Sequence, residues 1–277
     1  KQNNVSTIDR PKKWIQSLDS LDKPQHTLIK GGNKILKNTL NNYFIMKNNF
    51  DLHKNQILIT CSLFLTKTDP IKKQNKYING LKRLYDWTNK HNYILRIYYD
   101  NSVEDIINQN YIKHNIQLFK YHFPHFFDKE LNKHYGTFGT LIRFLPFFDI
   151  EHHKSYKVLC VDIDIYPNLT NLHNYMILLS KDKRIKEPYK FFNRFGIGYC
   201  YKYLSRLKES KIEHLPYTAC AIYLENLNFP IYIFTNFINN CLLNNCNEYK
   251  EFSHKYQYGV DEHFLNHNLY NYIKKKQ

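Results

Sequence analysis

Asp162 and Asp164 stand one isoleucine apart at the end of the apolar run Val158-Leu159-Cys160-Val161, with Pro167 shortly after. A short run containing β-branched residues and closed by a proline reads as a buried strand. Alternation along a strand places Asp162 and Asp164 on one face and Ile163 on the other. Two carboxylates at the mouth of an apolar strand repel each other and lose hydration. A divalent cation offsets both costs. Hard oxygen ligands suit Mn²⁺ or Mg²⁺, so these two aspartates are the expected metal ligands. A plainer reading needs no ion: the carboxylates sit in solvent, or cap a helix beginning near Asn168.

Four further places carry groups that do chemistry. Arg143 lies on an otherwise apolar helix face, where a charge needs a partner. It either reaches the aspartates or an anionic ligand, or lays its stem along the helix edge with its head in water. Thr140, one turn earlier, is its companion. Asp100 ends an apolar run at Asp100-Asn101-Ser102. It either binds a ligand or makes an ordinary Asx turn. Asp261 and Glu262 follow Gly259-Val260 and open a helix. They either answer the positive end of that helix or supply a catalytic acid/base.

The elements that position these groups alternate. Ile57 to Leu65, Tyr93 to Tyr99, Ile116 to Tyr121 and the run from Val158 that ends in Asp162 and Asp164 read as strands. Tyr77 to Asn89 has apolar residues at helical spacing, Val103 to Gln109 starts a helix with Ser102 as N-cap, and Phe138 to Phe148 is a compact apolar helix bent by Pro146. Strand–helix alternation argues for an α/β fold with a mostly parallel sheet. Ligands then bind beyond the carboxyl ends of the strands, so Asp100 and Asp162/Asp164 share one crevice. Later, Leu169 to Leu179 reads as helix, Tyr217 to Leu224 as strand, and Ile231 to Leu243 as an apolar helix behind Pro230. A last helix follows the Asp261 segment. Residues 1–50 read as a polar N-terminal extension, with a helix near Asn33 to Phe44. Residues 51–277 form one domain.

Composition narrows the classes. The chain has 277 residues and a net charge of +16, from 40 Lys and Arg against 24 Asp and Glu. That surplus favours anionic partners. The lysines are scattered, however, and the chain is rich in Asn, Ile and Tyr and poor in Gly, which matches an A/T-rich coding bias. No specific nucleic-acid partner is expected. The six cysteines form no Cys-x-x-Cys pair, and Cys61, Cys160 and Cys220 lie within apolar runs. They read as buried thiols of a reducing, cytoplasmic compartment. The 24 tyrosines and 19 phenylalanines read mostly as core, with some as stacking platforms for sugars or bases. No apolar run is long enough for a membrane span. The first residue is Lys1, which reads as a trimmed start.

The ordered segments resemble a known family. Gly139-Thr140-Leu141-Ile142-Arg143-Phe144-Leu145-Pro146, a spacer, and then Lys157-Val158-Leu159-Cys160-Val161-Asp162-Ile163-Asp164 are similar to the nucleotide-sugar glycosyltransferases of the GT-A fold, most of all the glycogenin and galactosyltransferase-like group. Tyr217 to Leu224 and Asp261-Glu262-His263-Phe264-Leu265-Asn266 resemble that group's later strand and its Asp-Gln-x-x-Leu-Asn segment. Arg143-Phe144-Leu145-Pro146-Phe147-Phe148 resembles glycosyltransferases of giant DNA viruses, which would place the chain in a host cytoplasm or a virion. The resemblance covers residues 55–270. It implies a GT-A fold: a Rossmann-like, mostly parallel sheet flanked by helices, with a nucleotide-sugar half over 51–167 and a mixed acceptor half over 168–277. It also implies a UDP-sugar donor, a glycan or protein acceptor, Asp164 on Mn²⁺ or Mg²⁺ with Asp162 on the metal or the ribose, Asp100, Thr140 and Arg143 toward the donor, and Asp261 or Glu262 as the catalytic acid/base or a group that orients the acceptor. Thr218, Cys220 and Glu262 depart from the family's usual Asn, Gly and Gln. No late metal-binding histidine is evident; His263 and His267 are the nearest.

Two other classes use the same residues. A metal-dependent nucleotidyltransferase or nuclease needs a third acid beside Asp162 and Asp164 and a phosphate loop. A basic nucleic-acid-binding module needs clustered lysines with interleaved aromatics.

Overall fold

The apolar runs Leu58–Leu63 (β2), Ile94–Tyr99 (β3) and Lys157–Val161 (β7) are buried almost throughout, and this makes them the middle of a sheet. Strands covered on both faces need apolar residues at successive positions, with no polar alternation. In the computed structural model β2 pairs in parallel with β3 on one side and β7 on the other. β3 pairs in parallel with Ile116–Tyr121 (β4). Phe44–Met46 (β1) adds an antiparallel strand to β4; it lies inside the stretch read as an extension. Beyond β7, Ala221–Glu225 (β9) runs antiparallel and carries Lys190–Asn193 (β8) at the edge. Among the described residues the sheet has seven strands in the order β1-β4-β3-β2-β7-β9-β8. Phe127–Asp128 (β5) and Lys133–His134 (β6) form a separate small pair.

The structure describes residues 43–47, 52, 56–66, 70–110, 115–123, 127–128, 133–134, 138–149, 155, 157–164, 172–174, 176–177, 190–193, 221–225, 229–242, 260–269 and 271–272. All of them belong to the unit Lys34–Gln277. The chain is thus α/β, with a mixed sheet whose parallel part is β4-β3-β2-β7. In chain order those four strands stand third, second, first, fourth. The connection therefore reverses direction between β2 and β7, which is the switch point where open α/β sheets place ligands.

The two faces of the sheet are covered differently. Helix α1, Ile71–Lys90, lays Leu81, Leu84 and Trp87 over Ile59, Cys61, Leu159 and Val161. The opposite face carries Phe138–Phe147, which is a 3₁₀ helix and not the α-helix expected from its composition. Nearly every side chain in it is buried, so no amphipathic stripe marks an α-helical period, and Pro146 lacks the amide that would continue one. Thr60 and Cys160, cross-strand partners on β2 and β7, both donate to the Arg143 carbonyl at 3.2 and 3.1 Å and pin this helix to the sheet. Behind it, Phe264 stacks on Phe144 and meets Phe148, and Phe234 and Phe237 of α3, Tyr232–Leu242, at steeper ring angles. Val260–Phe264 (α4) brings Phe264 there and continues as one π-helical turn, Leu265–Leu269.

Several sequence expectations shift. Helix α1 begins at Ile71, six residues before its apolar spacing starts, because its first turns are exposed lysines and amides. Ser102 does not cap the helix after β3. Asp100 caps a 3₁₀ turn, Asn101–Val103, by accepting from the Ser102 amide, and α2, Glu104–Asn110, follows. The helix expected near Asn33 to Phe44 lies outside the described residues except for its end, where Phe44 begins β1. The strand expected over Tyr217 to Leu224 is seen from Ala221 onward; residues 217–220 and Cys220 lie outside the described set. Cys61 and Cys160 are free, buried thiols. Among the described residues no helix is long and apolar enough to cross a membrane.

Candidate functional site

Strand β7 ends at Val161, and the chain turns at Ile163 and Asp164. The alternation that would put both aspartates on one face therefore stops between them. Asp162 still follows the series Val158, Cys160 and points toward the 3₁₀ helix. There its Oδ1 accepts from Arg143 Nη1 at 2.6 Å. Ile163 points the other way into the core under α1. Asp164, carried round by the turn, also meets α1, and its Oδ2 accepts from Lys76 Nζ at 2.5 Å. The two carboxylates straddle the sheet edge, one toward each covering layer.

Gly80 explains how α1 comes so close. A Cβ on Gly80 would lie 2.3 Å from the Ile163 carbonyl oxygen and 3.3 Å from the Asp164 Cα. Only a residue without a side chain lets the helix rest on the turn that carries the aspartates. Lys76 is one helical turn earlier, on the same side of α1.

Arg143 is the hub of the site. Its side chain is 3% exposed, and its second guanidinium nitrogen, Nη2, donates to Asp261 Oδ2 at 2.8 Å. The contact expected between Arg143 and the aspartates is present, and Asp261 joins it from 118 residues away. Burial works against the charge of Arg143, but Asp162 and Asp261 outweigh it and raise its pKa. A guanidinium with one carboxylate on each terminal nitrogen has few conformations left.

Lost hydration pushes Asp162 up to about 6. Arg143 opposes that rise, and the Asp261 and Asp164 carboxylates add to it. Its side chain is nonetheless 37% exposed, so water screens the effect and the carboxylate is ionised at neutral pH. The Asp164 side chain is 28% exposed. Its hydrogen bond raises the pKa of Lys76.

Asp100 lies at the same carboxyl edge of the sheet, at the end of β3, but it is turned inward. Its Oδ1 accepts from the Ser102 amide at 3.0 Å and from the Ser102 hydroxyl. The residue is 2% exposed, and burial pushes its carboxyl up to about 7. Asp100 is a cap in this structure. Thr140 is half-buried in the first turn of the 3₁₀ helix. Glu262, His263 and His267 follow Asp261 along the chain, and their side chains lie outside the described residues.

The residue that sequence reasoning missed is Lys76. Nothing in the chain separates it from Lys72 and Lys73 on the same exposed helix start. Only the turn after β7 selects it. Among the described residues no group of three or more His, Cys, Asp or Glu side chains converges as a metal cage. What the arrangement offers is two solvent-facing carboxylates at a sheet edge, one anchored by a buried arginine and one held by an exposed lysine. Compared with known proteins, the chain matches no family model, no curated protein and no solved structure.

Proposed function

We propose that this chain is a metal-dependent glycosyltransferase of the GT-A type that moves a sugar from a nucleotide-diphosphate donor, UDP-sugar by preference, to a glycan or protein acceptor. The observation that carries the reading is the position of Asp162 and Asp164: partly exposed and beyond the carboxyl end of β7, beside the switch point of the sheet. That is where an α/β sheet binds a nucleotide, and the resemblance of this segment to the Asp-x-Asp glycosyltransferases points the same way.

The donor set fits Mn²⁺ or Mg²⁺. Such ions are commonly held by one or two carboxylates, with water and substrate phosphates completing the shell, so a closed protein cage is not required. Asp164 is the better ligand because its present partner is an exposed lysine. Asp162 binds more conditionally, since one oxygen already serves Arg143. A bound ion would supply Lewis-acid neutralisation of the leaving diphosphate. The protein's own part is positioning. Arg143 holds Asp162 in place, and Asp261 holds Arg143.

With its Oδ2 on a buried guanidinium, Asp261 is a positioning residue in this proposal. The acid/base role falls to Glu262. A nucleotidyltransferase or nuclease would recruit Asp261 as a third metal-binding acid, but the Arg143 guanidinium takes both Asp162 and Asp261.

Calorimetry with a panel of nucleotides, with and without Mn²⁺, tests the reading. UDP binding that requires Mn²⁺ and is lost in Asp164→Ala supports it. Metal-independent binding of RNA or DNA without nucleotide preference refutes it. Glu262→Gln with unchanged turnover would remove Glu262 from the mechanism.

A further inference from the structure

The two cations at the site are built differently. Arg143 is buried and bonded to two carboxylates. Lys76 is 64% exposed and is paired with Asp164 alone among the contacts resolved for its ammonium. An exposed ion pair of this kind contributes about 0–1 kcal/mol. A divalent ion carries twice the charge of an ammonium and needs a carboxylate ligand, so it displaces Lys76 from Asp164 with little resistance. Arg143 cannot be displaced in the same way, because its removal would strand two carboxylates.

A displaced Lys76 cannot go far. The contact of Gly80 with the Ile163 carbonyl ties α1 to the aspartate turn, so only the ammonium swings, on its flexible stem. The neighbouring turns of its own helix offer it no carboxylate; Asp86, the acid of α1, lies ten residues further on. The residues three and four positions away are Lys72, Lys73, Asn79 and Gly80, two of them cations, and the first turn of α1 holds no acid. Of the described carboxylates, Asp162 also acts on this ammonium, but Arg143 already holds it; a nucleotide phosphate arriving with the metal offers a further anion.

We propose that Lys76 is a donor-binding residue kept in reserve by Asp164: a divalent cation takes the carboxylate, and the released ammonium takes a phosphate oxygen of the same nucleotide. This rests on the glycosyltransferase reading and adds a residue and a binding order to it.

Lys76→Met and Lys76→Arg test the proposal, with Mn²⁺ alone and then UDP at saturating Mn²⁺ titrated into each protein. Thermal unfolding serves as the folding control. The methionine variant should bind Mn²⁺ alone more tightly, by up to about fivefold, because its competitor is gone. It should bind UDP at least about tenfold more weakly, because a charge-assisted hydrogen bond is lost. The arginine variant should recover most of the UDP affinity. Wild-type UDP affinity in Lys76→Met would overturn the proposal while leaving the glycosyltransferase reading intact. No Mn²⁺-dependent UDP binding in the wild type would overturn both.

Discussion

Gly80→Ala separates a positioning contact from ordinary helix energetics. In the interior of a 20-residue helix, alanine normally stabilises by about 1 kcal/mol relative to glycine. Here the new methyl would meet the Ile163 carbonyl oxygen at 2.3 Å, where ordinary contact begins near 3.4 Å. Helix and turn must part by about 1 Å, and the obstacle is backbone, which has no rotamer to yield. Overpacking of that kind costs about 1–3 kcal/mol. After subtracting the propensity gain, the variant should lose up to about 2 kcal/mol, and Tm should fall by up to about 8 °C for a domain of this size. The same displacement moves Asp164 from Lys76 and Asp162 from Arg143, so Mn²⁺-dependent UDP binding should weaken as well. Asn79→Ala, one residue earlier and exposed, is the control and should raise Tm slightly. Scanning calorimetry and the UDP titration read both effects. A Gly80→Ala protein as stable as Asn79→Ala, with wild-type binding, would refute the claim that this contact sets the aspartate turn.

Arg143→Met should destabilise the fold by about 3–5 kcal/mol, read as a lower urea midpoint, because Asp162 and Asp261 lose their shared partner. Arg143→Lys should recover little, since a point charge cannot fork onto two carboxylates; full recovery would show that only net charge matters. Asp164→Asn should change stability by less than about 1 kcal/mol while abolishing Mn²⁺-dependent nucleotide binding, and a large loss of stability instead would make the pair structural. Asp100 gives a pH dependence of definite sign. Its folded carboxyl is raised from 3.8 to about 7, so as pH rises the unfolded chain ionises first, and stability is lost from about pH 4 to above pH 7. Asp100→Asn keeps an oxygen for the Ser102 donors and should flatten that decline, gaining up to about 4 kcal/mol at pH 8; urea midpoints at pH 5 and pH 8 that change in parallel with wild type would contradict it.

The centre of the sheet was legible because burial on both faces leaves a continuous apolar signal. Ile116–Tyr121 was placed to the residue and β2 and β3 within one or two positions, whereas β7 stops at Val161, before the aspartates expected to end it. Edge elements carry no such signal. Phe44–Met46 joins the sheet on one side only, alternates in burial and reads as part of a polar stretch. The first turns of α1 were lost for the same reason. Within the site, residue types were legible and pairings were not. Arg143 stood out as a charge on an apolar face and does reach Asp162. Its bond to Asp261 depends on how α4 packs behind the 3₁₀ helix, through Phe264 against Phe144. The separation of Asp162 from Asp164 depends on where β7 stops pairing, one residue before the first aspartate, and alternation along the chain does not contain that position.

That single stop has a chemical consequence. Had the strand continued, both carboxylates would have faced Arg143, and one buried guanidinium would have held them both. The turn instead gives one to a cation that cannot leave and the other to a cation that can. Asp162, Asp164 and Asp261 against Arg143 and Lys76 leave the site one negative charge in surplus, which attracts a divalent ion and repels a diphosphate. Once an ion is bound, the surplus becomes positive and the preference reverses. In the proposed reaction the metal must therefore bind before the nucleotide or together with it. UDP affinity should therefore rise steeply with Mn²⁺ concentration, and UDP binding that is equally tight without the ion would refute this order.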